Sequence, residues 1–269
     1  MIKKFNIFLC ALTGVGFLLI VGCTPTIKSV SVKQMPVVPA HIEQVPAGKR
    51  LPEKEKLTFH VKWLGITAGE LVAEIKGLVQ WQGRECYLIE VTARTLGFVS
   101  SIYRIDDHYR SYFDAEDFCS LRYEERRHEG NYRRDAVTDF DHVSGKAHYK
   151  NAVDGSDKTF DIPAGVHDII TASYAARLLD LEPGKSFEFK VSNSEKVYDL
   201  FASITQRVRV SRPKGPVDAL HLVPFAKIDG HAAREGRVNG YLSADDKKVP
   251  LLVVIKAPVF TSVTAVLVE

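Results

Sequence analysis

Residues 57–63 read Leu57-Thr58-Phe59-His60-Val61-Lys62-Trp63, an unbroken alternation of apolar and polar side chains. Successive side chains of a strand point to opposite faces, so this stretch turns Leu57, Phe59, Val61 and Trp63 toward a core and the rest toward water. Gly65 interrupts the run, and after Gly69 a second apolar segment, Leu71-Val72-Ala73-Glu74-Ile75, begins. The period of two returns in Tyr87, Ile89, Val91 and Ala93, and again over 103–113, 120–126, 131–141, 187–191, 197–208, 219–225, 236–242, 251–256 and 262–268. Gln82-Gly83, Gly130-Asn131, Pro183-Gly184 and Asp229-Gly230 separate the runs with residues that form turns. Many short alternating runs spaced in this way predict a mainly β chain of antiparallel curved sheets, barrel-like or stacked as a sandwich.

One segment follows a period of 3.6 instead. Asp168 is a helix-capping residue type, and Ile169, Ala172, Ala176 and Leu179 follow it along one face, widened by Ile170, Tyr174, Leu178 and Leu181. Glu182-Pro183-Gly184 ends the pattern. So broad a stripe requires burial. The amphipathic helix near 168–181 is therefore expected as a plug or lid across one end or face of the β structure, within a single β-rich domain spanning 56–269.

Ahead of that domain the composition changes. Residues 24–55 hold Pro25, Pro36, Pro39, Pro46 and Pro52 with no sustained period, so 23–55 reads as a tether whose prolines remove donors and favour extended backbone. Before it, Lys3 and Lys4 precede an apolar run from Phe5 to Val21, and Ile20-Val21-Gly22 precedes Cys23. This pattern resembles a bacterial lipoprotein signal peptide over 1–22 with a lipobox, which makes Cys23 the mature N-terminus and the site of a covalent lipid. An uncleaved spanning anchor is the alternative, since the run is near the ~17-residue minimum for crossing a bilayer. Thr24 stands where an aspartate would retain a lipoprotein at the inner membrane, so the expectation is the outer membrane, facing the periplasm.

The formal charge of +3 falls to +1 once Lys3 and Lys4 are removed, so no global charge calls for nucleic acid. With 45% hydrophobic and 26% charged residues the chain can bury a sizeable core. Cys86 and Cys119 remain for the folded domain, either as a disulfide closing a long loop or as two buried thiols. Neither lies in a C-x-x-C arrangement, and no sequence pattern calls for a metal or a cofactor beyond the lipid on Cys23.

Three places carry polar chemistry worth weighing. His167-Asp168 pairs a titratable base with a carboxylate at a helix start, an acid/base candidate if it is not simply a cap. Asp106 and His108 share a strand face and compete with Asp168 for the same role. In the hairpin 122–134, a two-residue turn at Gly130-Asn131 sets Arg127 opposite Arg134 and His128 opposite Arg133. Like charges so opposed either splay into water or hold an anion, which makes Arg126, Arg127, Arg133 and Arg134 candidate ligand-binding residues.

The blocks Leu57–Gly69, Ser101–Ser111 and Val166–Arg177, the last followed by Leu181-Glu182-Pro183-Gly184, resemble in this order the bacterial domain-of-unknown-function family 3108. The resemblance spans nearly all of 56–269. It implies an exported, β-rich protein and brings no catalytic or binding residues with it. The expected function is accordingly a non-catalytic binding or scaffold module of the cell envelope, held to the membrane by its lipid and meeting an envelope protein, lipid or polysaccharide. A carrier of a hydrophobic ligand such as a lipid is the first alternative, with a cavity lined by Phe59, Trp63 and Phe98. A hydrolase acting on envelope glycan or peptide is the second. A C-terminal edge strand carrying Phe260, Val263, Ala265 and Leu267 would instead add to a partner's sheet.

Overall fold

The computed structural model describes residues 45–46, 48–212, 215–228, 231–233, 238–256 and 262–269. The signal segment, Cys23 and Phe260 lie outside these residues. The first half of the domain is a meander of eight strands: β1 (Glu55–Trp63), β2 (Ile66–Trp81), β3 (Arg84–Thr95), β4 (Asp106–Asp114), β5 (Ser120–Glu129), β6 (Tyr132–Asp141), β7 (Lys146–Asn151) and β8 (Asp157–Asp161). A short helix α1 (Gly97–Ile102) joins β3 to β4, and the helix α2 (Ile169–Leu178) follows β8. The second half holds β9 (Ser186–Asn193), β10 (Lys196–Val210), β11 (Val217–Ile228), β12 (His231–Ala233), β13 (Val238–Ser243), β14 (Pro250–Lys256) and β15 (Ser262–Leu267).

All strands join one antiparallel sheet in the order β8-β7-β6-β5-β4-β3-β2-β1-β15-β14-β13-β11-β10-β9, with β12 beside β11. The two halves meet where Phe59 to Trp63 pair with Leu267 to Val263. Irregular register at Val61/Lys62, Ile75/Gly77, Tyr112/Phe113 and Ile204/Gln206 bends the strands, the device that lets a long sheet roll. The result is a barrel-like open roll, not a sandwich. β15 sits between β1 and β14, so Val263, Ala265 and Leu267 are sheet interior, which corrects the expectation of a C-terminal edge. The free edges are β8, short and polar as solvent-facing edges tend to be, and β9.

The roll is fastened by the segment ahead of α2. Ser120 N donates to Val166 O at 3.1 Å, while His167 N donates to Lys190 O at 2.9 Å and Ser192 N to His167 O at 2.7 Å. Val166–Asp168 thus straps the start of β5 to edge strand β9. Across the same seam Lys158 Nζ meets Glu195 Oε2 at 2.6 Å.

α2 is a plug, as its stripe predicts, and it is enclosed on almost every side. Ile170, Tyr174, Ala175 and Leu178 pack on Ile75, Tyr87, Ile89, Val91, Tyr109 and Phe113 of the first half. Ala176, Leu179 and Leu181 pack on Phe187, Ala202, Ile204, Leu220 and Leu242 of the second. Its polar exception, Arg177, is satisfied: NH1 and NH2 donate to the two Glu55 oxygens at 2.6 and 2.7 Å, and the guanidinium lies over the Tyr174 ring. The packed body also reaches ahead of β1, where Leu51 is buried and its carbonyl accepts from Tyr87 Oη.

Gly130 turns the β5–β6 hairpin with φ +56°, and a Cβ there would sit 2.8 Å from the Tyr103 ring. Gly130→Ala is therefore expected to cost about 1–2 kcal/mol from the left-handed backbone alone, plus the displacement of Tyr103, measured as a lowered urea midpoint.

Candidate functional site

The β5–β6 hairpin has the register its sequence implies, with Arg127 opposite Arg134 and His128 opposite Arg133. Strand parity then separates the four arginines instead of gathering them. Arg126 and Arg133 project outward and are exposed, with Arg126 facing Asp135 in register, while Arg127 and Arg134 project into the roll. Neither splaying nor an anion is needed, because buried carboxylates meet the inner pair. This corrects the expectation of one anion-holding patch.

Three strands supply those carboxylates and their partners. Asp107 and Tyr109 point inward from β4, Glu125, Arg127 and Glu129 from β5, and Arg134 from β6. Asp107 and Glu129 are both fully inaccessible to solvent. Arg127 Nε donates to Glu129 Oε1 at 2.7 Å, its NH2 reaches the same oxygen, and Asp107 Oδ2 lies 4.0 Å from Nε. Asp107 also accepts from His128 N at 2.8 Å and from Tyr109 Oη at 3.2 Å. Arg134 lies 2.8 Å from Glu125 and donates to Tyr149 Oη and to Ser194 Oγ, both at 2.6 Å. Ser194 belongs to the β9–β10 turn, so this arginine ties one side of the seam to the other.

Burial pushes the Glu129 carboxyl up to about 8, with Arg127 opposing and Asp107 adding to the rise. Asp107 and Glu125 are raised too, chiefly by burial. Burial opposes the Arg127 charge, but Tyr109, Glu129 and Glu125 outweigh it and hold the guanidinium protonated. Near neutrality Glu129 therefore holds a proton beside the charged Arg127. Glu129 Oε2 is buried with no hydrogen-bond partner among the described residues, which suits a protonated acid better than an anion.

A second buried cluster surrounds the start of α2. Asp168 accepts from Ile170 N at 2.8 Å and Thr171 N at 3.0 Å, as a helix cap does. It also accepts from Ser111 Oγ at 2.5 Å and Ser120 Oγ at 2.7 Å, and it is fully buried. His167 is buried beside it against Phe113 and Phe189, with ring centroids 6.3 and 4.7 Å away. Burial lowers its pKa to about 3, so the ring is neutral.

Asp106 and His108 do pair, at 3.3 Å, and Arg104 stands 3.6 Å from Asp106. All three lie on the outer face, across the sheet from His167 and Asp168, so the structure does not bring the four acid/base candidates together. Cys86 and Cys119 are separate buried thiols, with no disulfide between them. Burial pushes them up to about 11 and about 12, which keeps both protonated. Among the described residues no group of three or more His, Cys, Asp or Glu side chains is arranged to hold a metal.

Sequence reasoning passed over Asp107, Ser111, Glu125 and Glu129. The signal was present in the parity of Asp107-His108-Tyr109-Arg110-Ser111-Tyr112-Phe113, where Asp107 shares a face with the plainly internal Phe113.

The family model described as "Protein of unknown function (DUF3108)" matches residues 58–268. No curated protein matches the chain. Among solved structures, a β-barrel-like protein of domain of unknown function DUF1849 from Brucella abortus superposes with a TM-score of 0.53 at 12% identity, covering 82% of this chain and 98% of that one. That likeness concerns the fold. A candidate exported protein with a YmcC-like fold from Bacteroides fragilis matches at TM-score 0.31 and 8% identity, covering 81% and 97%. A candidate lipoprotein from Parabacteroides distasonis matches at 0.28 and 9%, also covering 81% and 97%.

Proposed function

We propose, from the premise that this chain belongs to the DUF3108 family of proteins of unknown function, that it is a lipid-anchored protein of the cell envelope whose β roll faces the periplasm as a non-catalytic binding or scaffold module. One observation carries this reading: the centre of the roll is occupied by α2 and by buried polar side chains that bond chiefly to one another. His167 and Asp168 are thereby withdrawn from any substrate, while Asp106 and His108 pair on the open outer face with no other acid/base candidate beside them, which leaves the outer surface and the ends of the roll for contact. The lining suggested for a lipid carrier is dispersed as well. Phe59 packs with Leu57 and Val210, Trp63 packs near Val61 and Ile105, and Phe98 is 76% exposed.

The anchor rests on Ile20-Val21-Gly22-Cys23, and Thr24 favours the outer membrane. Cys23→Ala is expected to abolish incorporation of labelled palmitate and to move the protein from the membrane fraction to an unprocessed or released form. Unchanged palmitate labelling and fractionation would remove the anchor from this reading.

A further inference from the structure

Large apolar side chains are exposed at Leu64, Ile66, Leu78, Phe98, Ile102, Tyr132, Val143 and Val153. Six of the eight lie at one end of the roll, in or beside the β1–β2, β3–β4, β5–β6 and β7–β8 connections, so they are not random surface scatter. That end is opposite the one where the chain enters β1 at Glu55. Its most prominent part is formed by two adjoining loops, joined by Leu96 N donating to Ala68 O at 2.9 Å. They present Leu64 at 64%, Ile66 at 53%, Phe98 at 76% and Ile102 at 52% exposure.

Folding does not account for these residues. Leu64 holds φ +50° in a two-residue turn that asparagine, aspartate or glycine would make with less strain. It also leaves its side chain in water, so the position is unfavourable for both backbone and solvation. The collar behind the tip is basic on its outer side. Lys62 is exposed, the Arg94 side chain is 61% exposed against 19% for its partner Glu70, and Arg104 is 77% exposed against 43% for Asp106. In both pairs the cation is the outer member.

From this juxtaposition we infer that the far end of the roll is a membrane-contact tip that inserts Leu64, Ile66, Phe98 and Ile102 at an anionic phospholipid surface. The apolar side chains reach the acyl boundary, and Lys62, Arg94 and Arg104 meet the phosphates with their stems buried. Two short loops fall well below the roughly 20–30 residues a side of a standard protein interface, whereas bilayer contact needs only a few inserted side chains. The 22 residues 23–44, ahead of the packed Val45 and Leu51, can span up to ~75 Å and the 16 residues of β2 about 50 Å, so a chain anchored at Cys23 can still lay this end on its own leaflet.

The test uses the full-length chain in vesicles of brominated phosphatidylglycerol or brominated phosphatidylcholine. Emission of the added indole in Phe98→Trp, read against wild type, is expected to shift to the blue and fall about twofold in brominated phosphatidylglycerol, with a weaker effect in phosphatidylcholine. Val143→Trp, at the other end and 99% exposed, is expected to stay unquenched. An added indole that stays unquenched in both lipids in the Phe98→Trp protein, or one quenched equally in the Val143→Trp protein, overturns the inference. So does a blue-shifted Phe98→Trp protein that, free of vesicles, sediments as a dimer, since a second copy would then cover the tip. Palmitate labelling reports on Cys23 and indole quenching on the tip, so the anchor and the tip can fail separately.

Discussion

Asp168→Ala is expected to destabilise the protein by about 2–5 kcal/mol, one of the two largest effects the structure implies. Loss of a helix cap alone costs about 1 kcal/mol and up to about 2. The remainder comes from Ser111 and Ser120, whose hydroxyls donate to the same carboxylate oxygen inside the roll. With the carboxylate gone Ser111 loses its acceptor, at about 1–3 kcal/mol for an unsatisfied buried group, while Ser120 Oγ keeps Thr171 Oγ1 at 2.6 Å. Asp168 N also donates to Ser120 Oγ at 2.6 Å, so β5 and the strap before α2 would loosen together. The measurement is the urea midpoint of Asp168→Ala beside Asp168→Asn. Asparagine keeps one acceptor for Ile170 N and Thr171 N and is expected to retain part of the lost stability. A catalytic Asp168 would lose activity with the fold intact, and an unchanged midpoint in the alanine variant would refute the structural role assigned here.

What could be read before the structure depended on how local each feature is. The alternation at Leu57–Trp63 and the 3.6 period after Asp168 are properties of neighbouring residues, and both elements stand where their periods put them. The cross-strand register of Arg127 and Arg134 was equally legible, because a two-residue turn at Gly130-Asn131 leaves one way to pair. Which face of that hairpin is internal was not, since charges on both faces hide the parity. The inward set is recognisable only through β4, where Phe113 fixes Tyr109 and Asp107 on the same side. Pairing of β1 with β15 joins residues some 200 positions apart, and nothing local to Val263–Leu267 distinguishes an edge from a centre. Phe98 shows the converse error. An aromatic residue suggests burial, but the six-residue helix α1 buries only Val99 and turns Phe98 outward.

The second large effect is a dependence of stability on pH that follows from Glu129 and His167. A carboxyl whose folded pKa is about 8 against an ordinary 4.5 binds its proton more tightly in the folded protein, so its contribution is complete below 4.5 and is lost as pH rises through 8. His167, lowered to about 3 from 6.5, acts in the other sense: its contribution is complete above 6.5 and is lost as pH falls through 3. Between 4.5 and 6.5 the two slopes oppose and stability should be nearly flat. Above 6.5 Glu129 acts without that opposition, and stability should fall by about 2 kcal/mol between pH 6.5 and 9. Asp107, Glu125 and Asp168, raised in the same direction, deepen the loss wherever their own windows overlap this range. Glu129→Gln isolates the cause. Its carbonyl can still accept from Arg127, and its amide group replaces the proton of the neutral acid, but it cannot ionise. The variant is expected to match wild type near pH 4 and to exceed it by a growing margin up to pH 9, read as urea midpoints across the series. Parallel curves for the two proteins would mean that the proton does not reside on Glu129. The inner face of β4 and β5 would then be held by an ionised Asp107–Arg127–Glu129 set, and raising the pH should leave the protein's stability unchanged.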